Sequence, residues 1–303
     1  MITKHTAQVA IITRTKDRPL LLPRAIQSVL NQSFQNWVHI IINDGGNREG
    51  IETLFNQFKN LYRGRLSILH HEYSKGMEAA SNYGIDSSNS QYIVVHDDDD
   101  SWHPDFLQKT VSFMGNQSTT SIKGVISYIE TITEEIEGNT IIELERKVWQ
   151  KNRAVPSIRE MTTGNIFPPI AFLFARSVFN EIGGGFREDL PVLGDWEFNL
   201  RFIEKYEIGV VPQILAYYHH RSKGKKTSYS NTVVEYEDLH HQYCEKLKNE
   251  FLRRDLKQGK LGIGYLMNYT NFAESQLSKI EKSLNEVKVQ LALQINPAFN
   301  FLK

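Results

Sequence analysis

Cysteine is nearly absent from this sequence of 303 residues, which contains only Cys244. A single cysteine excludes an intramolecular disulfide framework and a cysteine-rich zinc site, and it is typical of proteins kept in a reducing cytosol. No apolar run approaches the roughly 20 residues that a membrane-spanning helix needs, and residues 1–8 lack the apolar core of a signal peptide. We therefore expect a cytoplasmic protein without a transmembrane segment, which can meet the inner face of a membrane only peripherally.

An excess of charge of either sign is also missing, since Lys plus Arg and Asp plus Glu both number 35. A chain without net charge has no overall electrostatic field to draw it onto nucleic acid or an anionic membrane. We expect no nucleic-acid partner, and binding must come from local sites. The length is sufficient for one large α/β domain or for two smaller ones.

Short β-branched runs alternate with amphipathic segments in the first third of the chain. Residues 9–12, 37–42, 66–69 and 92–95 have the composition of buried strands, and helical patterns separate them. This alternation predicts an α/β fold with a Rossmann-like, mostly parallel sheet flanked by helices. Ligands bind such sheets at the carboxyl ends of the strands, so polar clusters that follow these strands should share one crevice.

The second half of the chain is less regular. Residues 124–132 and 140–148 predict a β-hairpin, and residues 195–206 predict a helix. The basic segment 221–230 has no apolar periodicity, and we interpret it as a mobile loop that could close over a diphosphate.

Residues 231–303 predict a helical extension. Apolar side chains recur there at the spacing of a heptad seam, at Leu277, Ile280, Leu284, Val287 and Leu291. The seam has two interpretations, which the sequence does not separate. It can pair two copies of the chain in a homo-oligomer, or it can fold back over the rest of the protein.

A run of four aspartates is the most unusual feature that is present: Asp97, Asp98, Asp99 and Asp100. The run closely follows the strand predicted at residues 92–95. Neighbouring carboxylates repel one another, whereas a divalent cation would hold them ionised and would also bind a diphosphate. The alternative is a solvated acidic turn or a helix N-cap, since aspartate is favoured there and Pro104 suits a first helical turn.

Five ordered motifs extend this pattern: residues 9–19, 41–46, 76–85, 92–104, and 184–188 followed by 194–198. In this order and spacing they resemble the family 2 glycosyltransferases over roughly residues 8–220. The resemblance implies the GT-A fold, a nucleotide-diphosphate sugar as donor, a divalent metal such as Mn²⁺ or Mg²⁺, and transfer of the sugar with inversion.

The resemblance also implies a set of nucleotide-binding residues: Thr13, Arg14, Thr15, Asp44, Lys75, Asp97 and Asp98. Thr15 and Asp44 lie where the family holds the nucleoside, and a carboxylate there can accept the imide N–H of uracil. The alternative for Asp44 is an ordinary Asp-Gly turn. Asp97 or Asp98 would face the ribose. The family usually has an arginine where this chain has Ser81, and Lys75 could replace its charge but not its planar fork.

Asp99 would ligate the metal, because it matches the last carboxylate of the family's Asp-any-Asp motif. The cation would neutralise the charge that gathers on the departing nucleoside diphosphate. His219 and His220 are additional candidate ligands, since some GT-A enzymes place a metal-binding side chain near this point. The alternative is that both are ordinary surface histidines.

Asp195 aligns with the aspartate that the family uses as general base. An inverting displacement needs a carboxylate that takes the acceptor's hydroxyl proton as its oxygen attacks. The family usually has an acidic residue before this base, whereas this chain has Gly194, and Glu197 is a second carboxylate nearby. The alternative for Asp195 is a helix N-cap.

These expectations give three segments: a nucleotide-sugar-binding half at 1–115, an acceptor-binding half at 116–230 and a helical extension at 231–303. We predict transfer from a donor that is most simply UDP-linked to a hydroxyl of a glycan or glycoconjugate, in bacterial polysaccharide synthesis. One alternative is a scaffold subunit that binds sugar nucleotides without turnover. Another is a sugar nucleotidyltransferase, which should carry a glycine-rich loop after its first strand, whereas residues 13–19 contain no glycine.

Overall fold

The computed structural model describes residues 7–117, 121–149, 155–221, 229, 231, 237–260 and 262–295. They belong to two compact units, the first ending at Glu245 and the second beginning at Lys246. Most of the loop predicted at 221–230 lies outside the described residues. The segment limits predicted at 115 and 230 remain predictions.

Nine strands of the first unit form one sheet, in the order β3-β2-β1-β4-β8-β6-β9-β5, with β7 paired to β6. Their bounds are β1 Val9–Thr15, β2 Trp37–Asp44, β3 Leu66–His71, β4 Tyr92–Val95, β5 Ser101–Trp102, β6 Ile122–Glu137, β7 Thr140–Trp149, β8 Phe172–Ala175 and β9 Glu207–Arg221.

The described part of the chain contains nine helices: α1 Leu22–Leu30, α2 Arg48–Tyr62, α3 Met77–Asp86, α4 Phe106–Gly115, α5 Ile158–Thr163, α6 Arg176–Glu181, α7 Gly194–Lys205, α8 Glu237–Lys257 and α9 Ile263–Ile295. The predicted fold class is confirmed, including the helical extension. Local chemistry explains the helix starts, as at α2, where the Asn47 side chain accepts a hydrogen bond from the Gly50 N–H at 3.0 Å.

The strands β3, β2, β1 and β4 are parallel neighbours. All eight residues of β2 are buried, as expected for a strand covered on both faces. The register aligns Thr15 with Asn43 and Ile12 with Val95, so the polar residues after these strands meet at one edge. Helix α3 packs closely on this sheet because a Cβ at Gly84 would come within 2.6 Å of the Ile12 side chain.

Strand β9 is the main element that the sequence analysis did not predict. It runs parallel to β6 and antiparallel to β5. Gly209 and Pro212 interrupt its pattern, and proline normally argues against a strand interior. The pairing with β6 shifts register between Ser127 and Ile129, where β9 accommodates Pro212, whereas Gly209 pairs in register with Val125. β9 carries His219, one of the candidate metal ligands, toward the edge where β4 ends.

No helix in the described part of the chain is long and apolar enough to cross a membrane.

Candidate active site

The four aspartates form the turn between β4 and β5, at the carboxyl edge of the parallel strands. Asp98, Asp99 and Asp100 are each at most 6% exposed. The alternative of a solvated acidic turn is therefore wrong for these three. Helix α4 begins only at Phe106, so none of the four is its N-cap.

Four guanidinium groups contact this turn: Arg14, Arg18, Arg221 and Arg24, the last through the Asp99 backbone carbonyl. The Arg14 Nε donates to Asp97 Oδ1 at 2.9 Å. The Arg18 Nη1 lies 3.2 Å from both Asp98 Oδ1 and Asp99 Oδ2. Arg221, the last residue of β9, pairs with Asp99 as well. The buried negative charge is thus balanced by arginines from two separate parts of the sequence.

The pKa values of two adjacent aspartates move in opposite directions. Burial raises the pKa of Asp98 to about 6, although Arg18 opposes the shift. Burial would also raise the pKa of Asp99, but Arg221 and Arg18 outweigh it and hold the pKa below its ordinary value. Asp99 therefore stays ionised over the wider pH range, as a metal ligand must.

Glu134 of β6 binds two of the arginines that contact the turn. It is 1% exposed and accepts hydrogen bonds from Arg24 Nη1 at 2.7 Å and from Arg221 Nη1 at 3.0 Å. The His219 Nδ1 is a third neighbour, at 3.0 Å. Burial would raise the pKa of Glu134, but hydrogen bonds from His219 and Arg24 lower it to about 2. An ionised glutamate therefore fixes the position of two arginines.

The two candidate histidines of β9 differ in their surroundings, because consecutive residues of a strand point to opposite faces. The ring nitrogens of His219 lie 3.0 Å from Glu134 and 2.9 Å from the Ser101 hydroxyl. The backbone N–H of His219 also donates to Asp100 Oδ1 at 2.9 Å. His219 is thus engaged by protein groups on every polar atom of its ring.

His220 offers a buried Nε2 that has no hydrogen-bond partner among the described residues. Burial lowers the pKa of His220, and the charge of Asp99 opposes the shift, so the ring is neutral at pH 7. The described hydrogen bonds of the Asp99 side chain fall on Oδ2, from Arg18, Arg221 and Asn231. Imidazole nitrogens and carboxylate oxygens are both ligands of divalent cations, so His220 Nε2 and the Asp99 carboxylate stay candidate ligands.

No three His, Cys, Asp or Glu side chains converge as a metal site within the ranges that the structure describes. A cation held by Asp99 and His220 would therefore take its other ligands from the diphosphate of a bound nucleotide and from water, which is usual for Mg²⁺.

Asp195 occupies the second position of α7 and not its N-cap, which is Leu193 at φ 65°. The N-cap alternative is therefore wrong. The Asp195 Oδ2 accepts a hydrogen bond from Asn165 Nδ2 at 2.7 Å, and Asn199 holds Asn165 in turn at 3.0 Å. Burial raises the pKa of Asp195, and Asp97 adds to the shift. The other carboxylate of this segment, Glu197, is paired with an arginine one turn along the helix, at 2.7 Å.

A third carboxylate, Glu78 of α3, fills the space beside Gly194. A Cβ added at Gly194 would lie 2.1 Å from Glu78 Oε1, so a larger residue fits there only if the Glu78 side chain moves. Glu78 is 4% exposed and lies 4.0 Å from Arg14. The sequence lacks an acidic residue directly before Asp195, and the structure supplies a carboxylate at that place from another helix.

Arg14 occupies the place that the sequence analysis connected with Lys75. The Arg14 Nη1 donates to the Ser81 hydroxyl at 3.2 Å, so a planar guanidinium stands beside the position where the family has its arginine. Lys75 is exposed, with its ammonium 5.8 Å from the ring of Tyr73.

The predicted nucleoside-binding residues are placed at different depths. Asp44 accepts four hydrogen bonds, from His71 and Ser74 at 2.7 Å, from the Lys75 N–H at 2.9 Å and from the Gly76 N–H at 3.0 Å. It therefore organises the loop after β3. Thr15 is buried at the end of β1, while Thr13 is fully buried inside the sheet, where its hydroxyl lies 2.8 Å from His39.

Several residues of this site were not identified from the sequence: Arg18, Arg24, Glu78, Glu134 and Asn165. Arg18 lies in a quoted motif, but its charge could be assigned to a site only after the strand end was known to face the aspartates. Glu134 lies in an acidic stretch that resembles the solvated end of a hairpin strand.

The comparisons with known proteins agree with this geometry. The sequence model described as Glycosyl transferase family 2 matches residues 10–183, and the chain belongs to that family. It is 24% identical over 295 residues to the uncharacterized glycosyltransferase YwdF of Bacillus subtilis, covering 97% of this chain and 98% of that protein. It is 34% identical over 104 residues to WcaA of Escherichia coli, a putative colanic acid biosynthesis glycosyl transferase, covering 34% and 37%.

Solved structures show the same fold. A mannosyltransferase from Pyrobaculum calidifontis, PcManGT, in complex with GDP-Man and Mn²⁺ gives a TM-score of 0.60 at 13% identity, covering 98% of this chain and 83% of that one. TarS of S. aureus in complex with UDP-GlcNAc gives a TM-score of 0.58 at 12% identity, covering 74% and 61%. At these identities the likeness establishes the GT-A fold of the chain.

Glu78 makes a testable contribution to the pH dependence of folding. Burial raises its pKa from 4.5 to about 7, so the folded state favours the protonated form. Its contribution is complete below the unfolded pKa and is lost as pH rises through about 7. Between pH 4.5 and 8 the protein should lose on the order of 3 kcal/mol through this group, and Glu78→Gln should abolish that part of the loss.

Urea denaturation at several pH values measures this effect. Glu72→Gln, at an exposed position five residues before α3, is the matched control and should keep the slope of the natural protein. Identical slopes for Glu78→Gln and the natural protein would show that Glu78 is not buried in its protonated form.

Proposed function

We propose that the chain transfers a sugar from a nucleotide-diphosphate donor, most simply a UDP-sugar, to a hydroxyl of a glycan or glycoconjugate, with inversion. The observation that carries this proposal is that Arg14 lies between the aspartate turn on one side and two further buried carboxylates on the other. Asp97 binds this guanidinium on the side of the aspartate turn, and Glu78 and Asp195 lie within its electrostatic reach on the side of α7. The charged donor would bind beside the aspartate turn and its arginines, and the neutral acceptor would bind next to it. Asp195 would be the buried base between the two.

Asp195 would act as the base. Its carboxylate takes the proton of the acceptor hydroxyl while the oxygen forms a bond to the anomeric carbon, and the bond from that carbon to the diphosphate breaks with its electron pair on the diphosphate. Burial raises the pKa of Asp195, which makes the carboxylate a stronger proton acceptor than an exposed aspartate. Asn165 donates to one carboxylate oxygen and the Trp196 backbone N–H donates to the other. Each oxygen keeps a second lone pair that can accept the hydroxyl proton.

The opposite side of the crevice would stabilise the leaving diphosphate. Asp99 and His220 would hold Mn²⁺ or Mg²⁺, which neutralises negative charge on the diphosphate when bound. Arg18 and Arg221 already contact Asp99, and their guanidinium groups suit phosphate oxygens as well. Asp44, Thr15 and Asp97 remain the proposed contacts of the nucleoside.

The names of similar proteins support the donor and the setting. TarS was solved with UDP-GlcNAc, and PcManGT with GDP-Man and Mn²⁺. TuaG of Bacillus subtilis, 27% identical over 117 residues, is a putative teichuronic acid biosynthesis glycosyltransferase. We therefore propose a role in bacterial polysaccharide or glycoconjugate synthesis.

Calorimetric titration with UDP, GDP and dTDP, each with Mn²⁺ and with a chelator, tests the proposal. We expect one nucleotide to bind, with at least about a tenfold loss of affinity when the metal is removed, since charge-neutralising contacts to a diphosphate exceed 1.4 kcal/mol. His220→Gln should reproduce the loss, whereas His103→Gln, at a more exposed histidine, should not.

Binding of none of the three nucleotides to the folded protein would contradict the proposal. Equal binding with and without metal would retain the donor site and exclude the role of Asp99 and His220 as metal ligands.

A further inference from the structure

The second half of helix α9 carries an apolar face that nothing covers within the described chain. Every side chain from residue 277 to residue 291 is exposed. The exposed fraction is 59% for Leu277, 54% for Leu284 and 49% for Leu291. Isolated helices in water are marginal at this length and usually need tertiary packing. Four turns of helix with an apolar face therefore call for a partner.

One line of the exposed seam continues into the covered part of α9. Counting back by sevens from Leu277 gives Thr270 and Ile263, which are only 6% and 4% exposed. At that end α8 packs against α9, since a Cβ at Gly264 would come within 2.2 Å of the Leu252 backbone. Beyond residue 276 the same face continues without α8. The seam is thus a helix-packing surface that changes partner along its length.

The exposed seam has the spacing of a coiled coil, with three and four residues alternating between Leu277, Ile280, Leu284, Val287 and Leu291. Apolar side chains at this spacing fit another helix of the same kind. A lipid surface needs a wider apolar face and a basic polar face, whereas the flanks here mix glutamate and lysine: Glu281, Lys282, Glu286 and Lys288.

The flanking charges distinguish the direction of the partner helix. In a parallel pair, Glu281 would face Gln276 of the second copy and Lys288 would face Ser283. In an antiparallel pair with Ile280 opposite Leu291, Glu281 faces Lys288 of the second copy, and the two-fold axis repeats the contact. Only the antiparallel arrangement sets opposite charges against each other twice.

We propose that α9 pairs with α9 of a second copy in an antiparallel coiled coil of four apolar layers. Ile280 packs against Leu291 of the second copy, Leu284 packs against Val287, and symmetry repeats both layers. The interface forms one isologous contact, so assembly stops at a dimer.

Light scattering of the full chain tests the pairing. We expect a mass of twice 35.0 kDa for the natural protein and 35.0 kDa for Leu284→Glu. The matched control is Val289→Glu, because Val289 is 59% exposed on the outer face of the same helix and should leave the dimer intact. A monomeric natural protein, or a dimer that survives Leu284→Glu, would overturn the proposal. Binding of the monomer to anionic vesicles would assign the seam to a membrane instead.

Charge exchange tests the direction. Glu281→Lys places lysine against Lys288 in the antiparallel pair, and we expect the dissociation constant to rise about fivefold to tenfold at low salt. The double variant Glu281→Lys, Lys288→Glu should return it to the natural value. Failure of this rescue would exclude the antiparallel direction, and neither result depends on the donor site.

Discussion

Asp195→Asn is expected to lower the turnover number for sugar transfer by about 10³-fold, within the range that loss of a general base costs. Asparagine keeps the shape of the side chain and can still bind Asn165, so the change removes proton acceptance with little change in packing. Donor affinity, measured by calorimetry, should stay within about twofold of the natural value, because the aspartate turn and its arginines are untouched.

The pH profile adds a readout that a merely structural role would not move. Burial raises the pKa of Asp195. As the pH is lowered, the activity of the natural protein should therefore begin to fall at a pH above the ordinary pKa of an aspartate. Asp189→Asn is the matched control, since Asp189 is exposed and pairs with Arg187 on the surface. Full transfer by Asp195→Asn would remove Asp195 from the mechanism, and donor binding without transfer in the natural protein would favour the scaffold alternative.

Glu134→Gln is expected to destabilise the fold by about 3–5 kcal/mol, because removing one partner of a buried ion pair leaves uncompensated charge. Glu134 is bound by Arg24 and Arg221, so Arg24 would lose its buried anion and Arg221 would keep only Asp99. The midpoint of urea unfolding measures the change. Donor binding should weaken in the same variant, since Arg221 would lose one of the two carboxylates that fix its position at the aspartate turn.

Glu130→Gln is a control on the same strand. Glu130 pairs with Arg146 at 3.0 Å, but the arginine side chain is 48% exposed. A surface pair of this kind contributes up to about 1 kcal/mol. If the two variants lose similar stability, the arginines around Glu134 are solvated and the buried network does not hold the site together.

The first half of the sheet could be predicted because its strands are buried on both faces and are therefore continuous apolar runs, as in β2. The aspartate turn could be located because its position follows from the end of β4. Strand β9 could not be predicted, because Pro212 and Gly209 argue against a strand when only the local sequence is considered. Its role is decided by pairing with β6, which lies about eighty residues earlier in the chain.

Side chains that act through long-range contacts were equally hidden. Glu78 lies in the first turn of α3, where an acidic residue is expected from the helix dipole alone. Arg24 lies in an amphipathic helix, where an arginine gives no signal. Their functions depend on which strand ends meet at the sheet edge, and that information is absent from a local pattern.

Because Gly194 and Glu78 are in tight contact, a larger residue at one position requires a smaller residue at the other. An acidic side chain grafted at 194 would collide with Glu78 unless Glu78 moved, and truncating Glu78 alone would leave a cavity beside Gly194. Anyone who transplants the base-bearing turn between members of this family must therefore carry the first turn of α3 with it. Two segments that lie far apart in the sequence must therefore be exchanged together.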